Sequence, residues 1–243
     1  MAGHSKWKNI MHKKGKTDAQ RAKVFTKIGR ELTVCVKNGG PDPNANGKLR
    51  ELIAKARAEN VPMDNIDRII KKASGEAGGD NYERTVYEGY GPCGVAVIVE
   101  ALTDNRNRTA GDMRHYFDKY GGNLGTSGSV AWMFASKGQL AIERGDLRAD
   151  AVLGDALEAG ASDFEEEDEL FVLTTEPEDF AAVHDALSQK GYAFLEAEVA
   201  RVPGTTVRIE DPELVKKMEK LLELLEDNDD VQNVYHNWEE PDA

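Results

Sequence analysis

The chain has 243 residues, 40% hydrophobic and 31% charged, which is enough for one large domain or two to three small ones. No apolar run approaches the roughly 20 residues of a membrane-spanning helix or the roughly 7–15 of a signal-peptide core, so we expect a soluble protein. The two cysteines, Cys35 and Cys93, lie in no CxxC or Cys/His pattern. This excludes a disulfide framework and a cysteine-based zinc site.

Charge is distributed unevenly along the chain. Residues 1–75 carry 17 Lys and Arg against 7 Asp and Glu, a net charge of +10, whereas the other 168 residues carry 14 against 37, a net charge of −23. An acidic protein with a basic N-terminal region typically uses that region to bind a polyanion. The alternative is a solvated basic tail without a partner. The charge favours nucleic acid, DNA or RNA, and no membrane partner is predicted.

Residues 1–75 are predicted to form a basic tail followed by a three-helix domain. A capping box at Thr17 and Gln20 predicts a first helix that ends near Lys37. Periodic apolar residues predict two further helices, near 46–59 and 64–75. On the first helix a basic stripe lies opposite the apolar side and is expected to point away from the core. This stripe consists of Lys23, Lys27, Arg30 and Lys37, of which the first three are candidate contacts, and it either binds a polyanion or is a solvated face.

After a glycine-rich linker at 76–81, the hydrophobic period changes to a mixture of strands and helices. A cap pair, Thr109 and Asp112, predicts the start of one of these helices, and Trp132 and Trp238 fall in strand patterns that predict core positions. The predicted strands are 85–90, 94–102, 129–134, 140–144, 170–175, 192–202 and 231–238. The predicted helices are 109–120, 147–159, 177–190 and one that follows Asp211 and Pro212.

This alternation predicts an α+β fold, in which the three-helix domain is followed by two ferredoxin-like α+β domains, one inserted into the other. The segment 76–136 lacks a second helix and a last strand. Residues 204–243 contain both, so we expect them to complete this middle domain. Residues 137–203 then form an inserted acidic α+β domain.

The sequence contains no recognisable catalytic constellation. The five histidines show no HExxH or other metal spacing, there is no GxSxG, and the glycine-rich stretches lack the GK[ST] ending of a phosphate-binding loop. The acidic run Asp163–Glu169 lacks the ligand spacing of a calcium loop and is interpreted as a solvated turn. The alternative is that it holds a metal ion, and a nuclease or other enzyme is a third function class on that ground alone. We therefore predict that the protein is not an enzyme and has no catalytic residue, metal, cofactor or small-molecule substrate.

The loop Thr103–Thr109 leaves a predicted strand and begins a helix, a context that favours anion binding. Its arginines either bind a phosphate or pair with local carboxylates, while Asn and Thr cap the helix. With the tail and the basic stripe, the candidate nucleic-acid-binding residues are Lys6, Lys8, Lys13, Lys14, Lys16, Lys23, Lys27, Arg30, Arg106 and Arg108.

Several segments together are similar to the YebC/PmpR family over essentially the whole chain. They are MAGHSKWKNI, AQRAKVFTKIGREL, NVPMDNIDRIIKKASG, YEGYGP, TDNRNRT and GGNLGTSGSVAWMF. The resemblance implies a three-domain α+β structure without catalysis, and either a DNA-binding transcriptional regulator or a ribosome-associated translation factor that binds ribosomal RNA. Because the chain begins at the family motif, we expect a cytoplasmic protein. Cys93 replaces a glycine usual in the family, and we expect a turn that does not need a positive φ.

Overall fold

The computed structural model describes residues 18–75 and 81–240. The helices are, in chain order, α1 (Asp18–Gly39), α2 (Gly47–Ala58), α3 (Met63–Ser74), α4 (Arg106–Lys119), α5 (Ala149–Ala159), α6 (Phe180–Gln189) and α7 (Pro212–Asp227). The strands are β1 (Glu83–Tyr90), β2 (Ala96–Thr103), β3 (Asn123–Leu124), β4 (Phe134–Glu143), β5 (Asp163–Glu166), β6 (Leu170–Thr175), β7 (Phe194–Pro203), β8 (Val207–Arg208), β9 (Val231–His236) and β10 (Trp238–Glu239). None of the described helices is long and apolar enough to cross a membrane.

The α+β class and the N-terminal three-helix domain are confirmed. The described chain divides into two compact units, one formed by residues 132–206 and one by the remaining described residues. The second unit contains both the three-helix domain and the middle domain. The predicted boundaries of the insert, 137 and 203, lie inside the first unit.

The three-helix domain packs α1 against α2 and α3 around a core of aliphatic side chains. Leu32, Leu49 and Ile66 are fully buried in this core. The loop before α2 is closed by Asn46, whose side chain accepts a hydrogen bond from the Leu49 N–H at 3.1 Å and thereby caps the helix.

The middle domain is a four-stranded antiparallel sheet with strand order β3-β1-β2-β9, and α4 and α7 pack on one face. The alternating residues Val97 and Val99 of β2 meet Phe117 of α4 and Leu221 of α7 in the core. β9 follows α7 in the chain and pairs with β2. Strands from before and after residues 132–206 therefore form one sheet.

The inserted unit follows the order β4-α5-β5-β6-α6-β7, with sheet order β5-β6-β4-β7 as in ferredoxin-like folds. The acidic run, interpreted above as a solvated turn, instead contains the edge strand β5. Phe164 explains the difference, because its ring stacks on Phe171 with 5.5 Å between ring centres and anchors β5 to the sheet.

Residues 129–134 do not form the predicted strand; a short 3-10 helix, Ala131–Met133, lies there instead. The buried Glu88 carboxylate accepts hydrogen bonds from the backbone N–H groups of Gly128, Val130 and Ala131, at 2.7–2.9 Å. These donors are therefore bound to a carboxylate rather than to a neighbouring strand. Trp132 is 76% exposed, so its predicted core position is wrong, whereas Trp238 is buried as predicted.

The turn between β1 and β2 contains a strained residue. Cys93 has φ 56° and ψ 20°, in the left-handed region, so the expectation of a negative φ is wrong. A side chain with a Cβ atom is disfavoured there, whereas glycine is not. We expect Cys93→Gly to raise the free energy of unfolding by up to about 1 kcal/mol in urea titrations, because relief of the left-handed strain outweighs the larger unfolded-state entropy of glycine. Cys93→Ala, which keeps the Cβ, is the control, and equal stability of the two variants would contradict the strain.

Candidate nucleic-acid interface

The predicted tail contacts lie outside the described residues. They are Lys6, Lys8, Lys13, Lys14 and Lys16. The predicted cap at Thr17 and most of the linker, residues 76–80, also lie outside them. The predicted residues whose positions can be described are the stripe on α1 and the two arginines near the start of α4.

The stripe on α1 contacts the middle domain. The Lys23 Nζ lies 2.6 Å from an Asp227 carboxylate oxygen, and the Lys27 Nζ donates a hydrogen bond to the Glu226 carbonyl at 2.8 Å. Both partners lie at the C-terminal end of α7, where backbone carbonyls and the helix dipole favour cations. Instead of pointing away from the folded core, as expected, the stripe lies between two folded parts of one unit.

Arg30 is the most enclosed member of the stripe. Its guanidinium donates to the Leu102 carbonyl at 3.0 Å and to the Asp230 carboxylate, and it lies 5.2 Å from the centre of the Tyr82 ring. These contacts join α1 to the end of β2 and to the residue before β9. Arg30 therefore has a structural role that the helical periodicity alone did not predict.

The predicted anion-binding loop is occupied by a carboxylate of the protein itself. Asp230, only 3% exposed, accepts hydrogen bonds from Arg108 at 2.8 and 3.0 Å, from Thr103 at 3.1 Å and from Thr109 at 2.7 Å. With Arg30, these residues form what we call the Asp230 cluster. The loop does favour an anion, and of the two alternatives the structure has the arginine paired with local carboxylates, because Arg108 also contacts Asp104.

The predicted cap pair for α4 is wrong. The helix begins at Arg106, and the Asn105 side chain caps it by accepting the Arg108 N–H at 3.1 Å. Thr109 lies within the first turn, where its hydroxyl is free to donate to Asp230.

In the Asp230 cluster, the carboxylate and the arginines stabilise each other's charged forms. Burial raises the pKa of Asp230, but hydrogen bonds from Arg108, Arg30 and Thr109 outweigh this and hold it at about 2. The same carboxylate, with Asp104, raises the pKa of Arg108. Asp230 is therefore ionised at neutral pH, and it compensates the two arginines that it contacts.

Arg106 has a different environment. Its side chain is 67% exposed, and a carboxylate oxygen of Glu83 lies 4.0 Å from its guanidinium. An ion pair this exposed contributes little to stability. The side chain of Arg106, a predicted nucleic-acid contact, is thus exposed at the surface of the middle domain.

The sequence matches two family models, the TACO1/YebC protein N-terminal domain over residues 5–76 and the TACO1/YebC second and third domain over residues 82–238.

The chain belongs to the TACO1/YebC family.

Relatives of this TACO1/YebC protein share nearly its full length. A "Probable transcriptional regulatory protein" of Acetivibrio thermocellus is 60% identical, covering 98% of this chain and 99% of its own, and the "Probable transcriptional regulatory protein ORF2U" of Hathewaya histolytica is 56% identical, covering 100% and 99%. The crystal structure of the conserved hypothetical protein Aq1575 from Aquifex aeolicus superposes with a TM-score of 0.88 at 44% identity, covering 98% of both chains. The names of the sequence relatives indicate a regulatory protein rather than an enzyme.

Two sets of residues in this TACO1/YebC protein were not predicted from the sequence. Asp227 and Asp230, the partners of the stripe, belong to an acidic run that signals only the end of α7 in the sequence. The exposed cations on α2 were not predicted as binding residues either. Their spacing of seven residues, which places each pair on one side of a helix, is visible in the sequence. They are Lys48, Arg50, Lys55 and Arg57, and among the described residues none of them forms an ion pair. Within the same residues, no three His, Cys, Asp or Glu side chains converge on a possible metal site.

Proposed function

We propose that this protein is a cytoplasmic, non-enzymatic regulator of transcription that binds DNA through its basic N-terminal region. The observation that carries the proposal is the net charge of +10 on residues 1–75, in a chain whose remainder has a net charge of −23. Phosphate contacts supply most of the sequence-independent affinity for DNA, and this region alone has the matching charge. The relatives named transcriptional regulatory proteins support the same function.

The basic residues then have two different roles. Lys23, Lys27, Arg30 and Arg108 are bound to carboxylates or carbonyls of the middle domain, so their contribution is to hold the two parts of the unit together. The lysines between residues 6 and 16 and the exposed Arg106 then remain to contact phosphates. Such contacts position a protein on the duplex but do not read its sequence.

DNA and ribosomal RNA present the same phosphates, so the decisive experiment identifies the nucleic acid in the cell. Crosslinking followed by sequencing of the attached DNA and RNA should recover a limited set of promoter sites. Purified protein should then prefer such a site over random DNA by about 10³-fold or more at physiological salt. Crosslinks dominated by ribosomal RNA would contradict the proposal and identify a ribosome-associated translation factor.

The tail lysines have a measurable signature in the salt dependence of binding. Replacing Lys13, Lys14 and Lys16 with Gln should weaken binding to duplex DNA and reduce the slope of log K against log[salt] by about 2.7, since each lost phosphate contact removes about 0.9. A matched control replaces three exposed lysines of α7, Lys216, Lys217 and Lys220, and should leave the slope unchanged. Equal slopes for the tail variant and the unaltered protein would exclude the tail as the phosphate-binding element.

A further inference from the structure

The three-helix domain has an open groove of about 420 Å³ between α2 and α3. Its floor is aliphatic, with Ile53 and Ala54 from α2 and Met63 and Ile70 from α3. Met63 is 38% exposed, and Ala54 is also exposed. The aliphatic floor is thus partly open to solvent.

One end of the groove is fixed by the loop before α2, which contributes Pro41 and Pro43 to the lining. The buried Asn46 side chain holds this loop by donating hydrogen bonds to the Cys35 carbonyl at 3.1 Å and to the Gly40 carbonyl at 2.9 Å. The groove is therefore largely formed before anything binds, which lowers the entropy cost of binding.

Two arginines stand along the α2 wall of the groove. Arg50 and Arg57 are seven residues apart on one helix, which places them about 10.5 Å apart along its axis. The Arg57 Nε–H points at the Met63 sulfur, 3.2 Å away, and this contact holds the guanidinium at the groove mouth. Of the lining residues that the structure describes, Asp67 alone is acidic, and it lies on α3.

We infer that this groove binds an acidic amphipathic helix of a partner protein. A helix that lies along the groove can place aliphatic side chains on the floor and two carboxylates, seven residues apart, beside the two arginines. The charge of the lining is complementary, because the described lining residues include two arginines, Arg50 and Arg57, against one carboxylate, Asp67. Arginine forms bidentate hydrogen bonds with carboxylates, which sets the register of such a helix.

The chemistry of the groove argues against two other occupants. A single-stranded nucleic acid needs aromatic rings on which its bases stack, and the described part of the chain contributes none to the lining. Residues 1–17 of the chain carry five lysines and no acidic residue, so the arginines would repel them.

The test uses the full-length protein and a defined probe. The probe is a fluorescent helical peptide of about 15 residues, with leucines on one face and two glutamates seven positions apart, and its counterpart has lysine in place of both glutamates. Binding is measured by fluorescence anisotropy, and the site is located by NMR shifts of the Ile53, Met63 and Ile70 methyl groups. We expect saturable binding of the acidic peptide, shifts confined to these methyls, and at least about tenfold weaker binding of the lysine counterpart.

Two charge variants of α2 separate a specific site from general attraction. Arg50→Gln with Arg57→Gln should weaken peptide binding by about tenfold or more. Lys48→Gln with Lys55→Gln removes the same charge at the same spacing, on the side of α2 away from the groove, and should change affinity by less than about twofold. Equal effects of the two variants, no saturable peptide binding, or shifts of the same methyls by duplex DNA alone would overturn the inference.

Discussion

Replacing Asp230 with alanine is expected to lower the free energy of unfolding by about 3–5 kcal/mol, because the variant leaves two arginines without their shared buried carboxylate. Arg30 and Arg108 both donate to Asp230, as do the hydroxyls of Thr103 and Thr109. Urea unfolding at neutral pH measures the loss directly. The Asp230 cluster connects α1, β2, α4 and β9, so the loss should appear as lower stability of the whole unit.

An exposed ion pair of the same stripe provides the comparison. Lys23 and Asp227 also form a close pair, but both side chains are at least one-third exposed. Lys23→Met should therefore cost no more than about 1 kcal/mol. If Asp230→Ala costs no more than Lys23→Met, the cluster does not hold the three-helix domain on the middle domain.

Acidification from pH 7 to pH 4 is expected to remove about 3 kcal/mol of stability through His236, because folding lowers the pKa of this histidine from 6.5 to about 4. Burial is the cause, since the side chain is only 13% exposed and its Nδ1 accepts the Trp238 N–H. The unfolded chain takes up the proton first, so the stabilisation is complete above pH 6.5 and is lost as the pH falls towards 4. Asp230 adds a further loss between about pH 4 and pH 2.

The pH dependence has its own control. His236→Gln cannot take up the proton, so its free energy of unfolding should change less between pH 7 and pH 4 than that of the unaltered protein. His115 is exposed on α4, and His115→Gln should leave the pH profile as it was. Identical profiles for the unaltered protein and the His236 variant would assign the acid sensitivity to other groups.

Much of the fold could be predicted from local patterns. The helix that follows Asp211 and Pro212 begins there because Asp211 caps it, and the stripe of leucines on α7 has the period of a buried helical face. Element ends were less predictable where a distant group decides them. Thr109 looks like a cap in the sequence, but its hydroxyl donates to Asp230, more than a hundred residues away.

The candidate site shows the same division between local and distant information. Periodicity correctly places Lys23, Lys27 and Arg30 on one side of α1, but it contains no information about what lies opposite. The partners come from the end of α7 and from Asp230, the residue before β9, and only the folded chain brings them to α1. An acidic run near the C-terminus predicts such ion pairs only when it is considered together with a basic helix elsewhere in the sequence.

The chain enters the sheet of the inserted unit and leaves it at neighbouring positions. Phe134, the first residue of β4, is the antiparallel partner of Pro203, the last residue of β7, so the two residues lie about 5 Å apart. Relative to the rest of the chain, the residues between Phe134 and Pro203 are a long loop whose two ends are held together by this strand pair. The entropy cost of closing that loop is offset by the folding of the insert itself. Changes in the length or sequence of the insert that preserve this strand pair therefore leave the entropy of closing that loop almost unchanged.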